Sequence, residues 1–304
     1  MIDIRIFILT CPYKKFLIIN KTLSFMKVFN KSFVVAVIAT FFLASSCQNK
    51  EEIVSQDQVS PEVLQKIHKL GFTNTGVVKS GDGYLVEGDI FIPESRLNEE
   101  PFHILLRAGD EEQYRTNNLV STNGSRVIKI YAPQGGSSGY SAGMIAGLDL
   151  AISRYNALNL TISFQRITTS TGANITMSRL SSSEENSGVL GSAGFPTASG
   201  NPYHQIKMSG ILESAYGLST GGIATIIGHE MGHCIGFRHT DYFNRSISCG
   251  GSAVNEGAST VGAIHIPGTP TGATLSAKSW MLACTDGSDR PFNSADRTAL
   301  NYLY

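Results

Sequence analysis

Net charge, long apolar runs and cysteine are all in short supply in this 304-residue chain, and each shortage narrows what it can be. The formal charge at pH 7 is zero. Six basic residues and one acidic residue fall in 1–46, leaving eighteen basic against twenty-three acidic beyond them. The main part of the chain therefore has no positive field with which to gather nucleic acid. The apolar run Phe33–Leu43 is eleven residues long, well short of the roughly 20 a helix needs to cross a bilayer. Cysteines number five, with none between Cys47 and Cys234, too few for a disulfide-built scaffold. No internal repeat is visible, which excludes a solenoid. The hydrophobic content of 42% is that of a globular protein able to bury a full core in one or two domains.

The basic excess lies where an export signal needs it. From Met26, "MKVFNKSFVVAVIATFFLASSC" has two lysines, the short apolar run, small residues and Cys47, the order found in a signal peptide. "LASSC" resembles a bacterial lipobox, which implies that Cys47 becomes the lipidated first residue of the mature protein. The following "QNKEE" resembles the export tag of bacterial surface lipoproteins. Residues 1–46 are accordingly read as leader, with Met26 as the start. The expected location is the bacterial outer membrane or cell surface, held through a lipid anchor, or the exterior after processing. In an oxidising compartment, Cys234, Cys249 and Cys284 leave one pair and one thiol. Cys234 falls within a predicted helix, where a buried thiol is common, so Cys249–Cys284 is the expected bridge; three free thiols are the alternative.

Residues 47–125 read as a small N-terminal region and linker. "SPEVLQKIHKLGF" predicts a helix with Ser60 as N-cap, Pro61 in the first turn and Gly71 as the stop. "GYLVEGDIFI" reads as one strand, and Asp110–Arg126, polar with an Asn123-Gly124 turn, as an exposed, cleavable linker. Residues 126–304 read as a compact α+β domain. "RVIKIYA", "LTISFQRIT", "ITMSRL", "GVLGSAGF" and "HQIKMSG" predict strands. "YSAGMIAGLDLAISRYNAL" and "STGGIATIIGHEMGHC" predict helices. Cys249–Ser276 reads as irregular, and "FNSADRTALNYLY" as a closing helix capped by Asn293 or Ser294. "GGSSG", Gly135–Gly139, matches a nucleophile elbow, but only one convincing strand precedes it in its region, so it reads as a flexible connection.

The chemistry concentrates in "GHEMGHCIGFRHTD". On a helix, His229 and His233 lie one turn apart on one face, and both imidazoles can reach one ion. Gly236 is suited to end the helix in a left-handed turn that brings His239 back toward them. Three nitrogen ligands leave a fourth position open, the pattern of a catalytic zinc rather than a structural one. Glu230, beside the first histidine, is placed to act as general base.

"HEMGHCIGFRH" resembles the metzincin pattern H-E-x-x-H-x-x-G-x-x-H. With "GFRHTD", "SCGG", "KSWMLAC" and the closing helix, residues 126–304 look most like the dual-action HEIGH metallopeptidases. That resemblance implies an α+β metzincin-like catalytic domain: a twisted mixed sheet, an active-site helix and a C-terminal subdomain, preceded by a small pro-region. It also implies one catalytic zinc, Met281 as the methionine turn beneath it, and hydrolysis of protein or peptide substrates with Glu230 assisting the attack of zinc-activated water. An extended substrate would pair with an edge strand, for which Gly188–Gly194 is the candidate. Astacins and serralysins place a tyrosine two residues after the methionine, where this chain has Ala283, so that tyrosine's part in stabilising the transition state has no counterpart here. "VEGDI" resembles the F-x-G-D motif of astacin prosegments, which implies Asp89 as a latency ligand on the zinc. The competing reading is a non-catalytic surface lipoprotein that binds a glycan or protein and uses zinc only to hold its fold.

Overall fold

The structure, a computed structural model, describes residues 59–98, 113–270 except 137, 273 and 277–304. The leader, Met26 and Cys47 lie outside them, as does Ser137 of the glycine-serine loop. No helix among the described residues is long and apolar enough to cross a membrane.

Helix α1, Pro61–Lys69, begins where Ser60 accepts a hydrogen bond from the Val63 amide. It stops at Gly71, whose φ of 87° few other residues adopt. Strands β1 (Val78–Ser80), β2 (Gly83–Val86) and β3 (Ile90–Pro93) follow as an antiparallel meander. The single strand expected over "GYLVEGDIFI" is therefore two strands. The chain reverses over Glu87–Asp89, between the paired Val86 and Ile90, with Glu87 and Gly88 in left-handed conformations at φ of 56° and 93°. Asp89 is thereby carried to the hairpin tip.

The main body follows. β4 is Tyr114–Arg115 and β5 is Arg126–Tyr131. Helix α2, Ala142–Asn156, leads to β6 (Ile162–Ile167) and β7 (Ile175–Arg179). The short α3, Ser182–Asn186, precedes β8 (Gly191–Ala193) and β9 (Gln205–Met208). Helix α4, Thr220–Ile235, the short α5, Ser246–Cys249, β10 (Ile264–His265) and α6, Ser294–Leu303, complete the chain. α6 is capped by Asn293, which exchanges bonds with Asp296 in a capping box.

Eight strands form one mixed sheet in the order β1-β2-β3-β8-β9-β7-β5-β6. β5 runs parallel to β6 and β7, and β7 parallel to β9, while β8 is antiparallel to β9. The alternation in β5, Ile128 and Ile130 inward with Val127 and Lys129 outward, is that of a strand with one covered face. α2 and α4 supply much of the cover. Met144, Leu148 and Tyr155 of α2 and Ile223, Ile227 and Met231 of α4 join the strand residues in one core. The helices meet closely at Gly147, where any side chain would collide with Ile223.

Two expectations are corrected. Gly188–Gly194 is not a free edge: β8 has β9 on one side and β3 on the other, in parallel, through Ile90 opposite Ala193. β3 of the N-terminal hairpin lies along the side that was expected to be open. Nor is the stretch before Arg126 an exposed linker throughout. Gln113, Tyr114, Thr116 and Val120 are buried. β4 pairs with β10, itself inside the stretch read as irregular, because Tyr114 packs on Tyr242 and Phe243. Among its described residues the exposed ones are Asn117, Ser121 and Asn123–Ser125, the last three around the Asn123-Gly124 turn.

Candidate metal centre

α4 is capped at Ser219, which accepts from the Gly222 amide, and ends at Gly236 with φ of 111°. The Gly236 and Phe237 amides both return to the Gly232 carbonyl, satisfying groups that a helix end leaves open. The reversed chain runs Phe237–Arg238–His239, with the Arg238 amide bonded to the Tyr114 carbonyl. His239 is thereby turned to face His229 and His233, the three ring centroids lying 4.6, 5.3 and 4.9 Å apart.

Each imidazole is oriented by its Nδ1. His229 Nδ1 lies 2.9 Å from the Trp280 carbonyl, His233 Nδ1 lies 2.8 Å from the Phe237 carbonyl, and His239 Nδ1 lies 2.7 Å from Glu256 Oε1. A carbonyl only accepts, so Nδ1 carries the proton at His229 and His233 and Nε2 presents its lone pair inward. The three Nε2 atoms surround Asp89 Oδ2 at 3.3, 3.9 and 3.0 Å. One donor atom from each of these four residues falls within 4.8 Å of the others. His233 Nε2 and Asp89 Oδ1 are buried without hydrogen-bond partners. Orphaned donors of this kind, converging from three imidazoles and a carboxylate, fit a divalent metal ion.

Electrostatics follow from depth. Burial lowers His233 to a pKa of about 4, keeping it neutral as a ligand must be. Burial also works against charge on Asp89 and His239, but their mutual attraction, with Glu256 behind His239, outweighs it. Asp89 is held well below the ordinary carboxylate range and His239 well above that of histidine.

Glu230 is buried on the same helix and its Oε2 has no partner. Burial, reinforced by the charge of Asp89, pushes its carboxyl well above the usual range. β8 passes directly over it: a Cβ added to Gly191 would lie 2.6 Å from Glu230 Oε1. Met281 is fully buried, and its Sδ would lie 2.5 Å from a Cβ at Gly232, so it packs against the helix turn that carries His229 and His233. The Met281 carbonyl accepts from the Thr240 amide at 2.8 Å. Ala283, two residues after Met281, gives its amide to Asp241 at 2.9 Å. Cys249 and Cys284 form a disulfide, and Cys234 is free and buried.

Several members of the site carry no local sequence signal. The single tryptophan is fixed by its Nε1, 3.1 Å from both the Gly228 carbonyl and Tyr155 Oη; its own carbonyl orients His229. Glu256 serves His239 from seventeen residues away. Arg238 is completely buried, with Nη2 at 3.4 Å from Glu87 and 3.5 Å from Glu256. Arg245 reaches Glu256 Oε1 at 3.4 Å and also bonds the Glu87 carbonyl. Glu87 is pushed well above its ordinary pKa by burial and then by Glu256, against the pull of Arg238. A partner-seeking glutamate in a stretch without periodicity resembles any solvated acid until the fold closes over it.

Three oriented imidazoles, an acidic fourth donor and an unpaired buried glutamate beside a cleft define a metal-dependent hydrolytic centre. The family model described as dual-action HEIGH metallo-peptidase matches residues 85–304, and the chain belongs to that family. No curated protein matches it. Among solved structures it is similar to myroilysin, with 17% identity over 41% of this chain and 54% of that one at a TM-score of 0.29. A second myroilysin structure matches with 13% identity over 66% and 95% at 0.30. The GM1-bound form of the ECX AB5 holotoxin matches with 16% identity over 64% and 81% at 0.34. The chain thus spans about half, 54%, of the first myroilysin chain.

Proposed function

We propose that this protein is a zinc-dependent endopeptidase of the metzincin type, exported, lipid-anchored through Cys47 and made as a latent precursor. The observation that carries the reading is the convergence of three histidine Nε2 atoms and Asp89 within 4.8 Å, beside a glutamate whose carboxyl has no partner. His229, His233 and His239 would hold the ion. When bound, it would supply Lewis acidity and bring the pKa of a water toward about 7. Glu230 takes the proton of the attacking water and hands it to the leaving amine, a role matched by a carboxyl held above its ordinary range. A site meant only to hold the fold has no use for that glutamate, which argues against the glycan- or protein-binding alternative.

Latency falls to the hairpin tip. Asp89 occupies the fourth donor position, and β3 takes the strand position beside β8 in which an extended substrate would lie. Activation then requires the tip to leave; because Gln113, Tyr114 and Thr116 are buried in the body, the cut that frees the hairpin at its C-terminal side has to fall before Gln113. The test is hydrolysis of a quenched-fluorescence peptide by the uncut chain. Wild type is expected to be silent and Asp89→Ala active, while Asp89→Ala combined with Glu230→Ala is silent again. Equal activity of wild type and Asp89→Ala would remove Asp89 from any gating role.

A further inference from the structure

Beside Glu230 lies a cavity of about 230 Å³, walled by Thr225 and Ile226 of α4, Leu190 before β8, and Leu282 and Ala283 after Met281. Its walls are mainly apolar, and the charged side chains that line it are Asp89, Glu230, Arg245 and Arg290. Asp89 belongs to the hairpin, Glu230 to the proton transfer, and Arg245 Nε to Glu256, which leaves Arg290 without an assigned task. Arg290 is the less satisfied. Its side chain is 9% exposed. Nη1 gives to the Cys284 carbonyl and Nη2 to Asp286 Oδ1, both at 3.1 Å, while Nε is buried without a partner. A guanidinium carries five donors, and the two bonds use one N–H of each Nη, so each Nη keeps a second N–H to offer an acceptor. Asp286, its one carboxylate partner, is 55% exposed, so water weakens that pairing. Arg245 bonds the Glu87 carbonyl, a contact that is lost if the hairpin leaves.

We propose that Arg290, together with Arg245, makes this cavity a subsite for an acidic side chain on the amine side of the scissile bond. The register follows from Glu230. It lines the cavity and protonates the leaving amine, so the residue carrying that amine places its side chain here. The inference rests on the peptidase reading above and deepens it with a substrate class: chains with Asp or Glu immediately after the cleaved bond. A bidentate or charge-assisted bond to guanidinium is the recognition chemistry.

The test uses the zinc-loaded full chain, before and after limited proteolysis, with peptides differing only in the residue after the bond: Glu, Gln, Lys or Leu. The kcat/KM for Glu should exceed that for Gln and Lys by about tenfold or more, the scale of one charge-assisted bond. Arg290→Met should cut the Glu-to-Leu ratio by about the same factor. Asp286→Asn, at an exposed position, removes the competing carboxylate and should raise that ratio about threefold, an effect that a purely structural arginine would not produce. Fluorescence anisotropy with labelled product peptides beginning in Glu or Leu should give the same order of affinities. No cleavage of any peptide overturns the peptidase reading and the subsite with it. Cleavage without preference for Glu, or a ratio that neither variant moves, overturns the subsite alone.

Discussion

The hairpin segment and the body that it touches are built differently. The body strands β5, β6, β7 and β9 share runs of paired residues and bury one continuous core with α2 and α4. The segment from α1 to β3 has its own small core around Ile67, Phe72, Val86 and Ile90, to which the body lends Phe195 and Val261. Its sheet pairing with the body is a single register, Ile90 with Ala193. Its other ties are mixed: Phe91 is buried in the body's core, and polar contacts join Asp89 to the imidazoles, Glu87 to Arg238, and Ser80 to Glu184 and Lys207. Apolar burial supports a part that stays folded, since it holds without a specific partner. Buried ionic contacts hold only while both partners remain in place, because each charge alone in the interior is costly. The polar share of these ties is what the latency proposed above calls on.

The body side of this comparison is broken most completely by His239→Ala. With two protein ligands left, metal content measured by mass spectrometry should fall below stoichiometric and peptide hydrolysis should disappear. Glu230→Ala separates metal from chemistry: metal stays stoichiometric while turnover drops by about 10²–10⁴-fold, the usual reach of general acid–base catalysis. Undiminished turnover there would defeat the mechanism.

Two isoleucines, both fully buried, sharpen the contrast between the cores. Truncation of either to alanine should cost about 2–5 kcal/mol locally. Ile227→Ala should lower the melting temperature of the whole protein. Ile67→Ala should leave the main transition nearly in place and, if the hairpin is the proposed latch, raise the activity of the uncut chain. If both variants shift the main transition equally, the segment is an inseparable part of the body. The smallest effect is expected for Glu256→Gln, which keeps the shape but weakens the hold on His239. Metal affinity should fall by about 10–100-fold, as for other residues that orient metal ligands, measurable by competition with a chelator.

Much of the site was legible in one stretch because its geometry is local. His229, Glu230 and His233 follow from the helical period, and the turn that returns His239 follows from Gly236, so side chains within eleven residues determine their own arrangement. The first and last helices were readable from their caps: Ser60 caps as its side chain allows, and Asn293 closes a box with Asp296, whereas the short helices Ser182–Asn186 and Ser246–Cys249 were not expected. The hairpin was misread as one strand because apolar residues continue on both sides of Glu87-Gly88, and only the left-handed pair of backbone angles breaks the run.

What the sequence by itself determined is therefore the chemistry that neighbours in the chain can build: the histidine face, its glutamate and the helix that carries them. Tertiary structure alone decided what lies against that face. It set β3 beside β8, and it brought Asp89, which only the resemblance of "VEGDI" to a prosegment motif had pointed to, among the imidazoles 140 residues and more further on. It also gave Trp280, Glu256 and Arg238 their tasks and left Arg290 a donor without an acceptor. Periodicity and capping depend on residues a few positions apart, whereas the partner of a buried charge is chosen by the closing of the whole fold, and no local pattern records that choice.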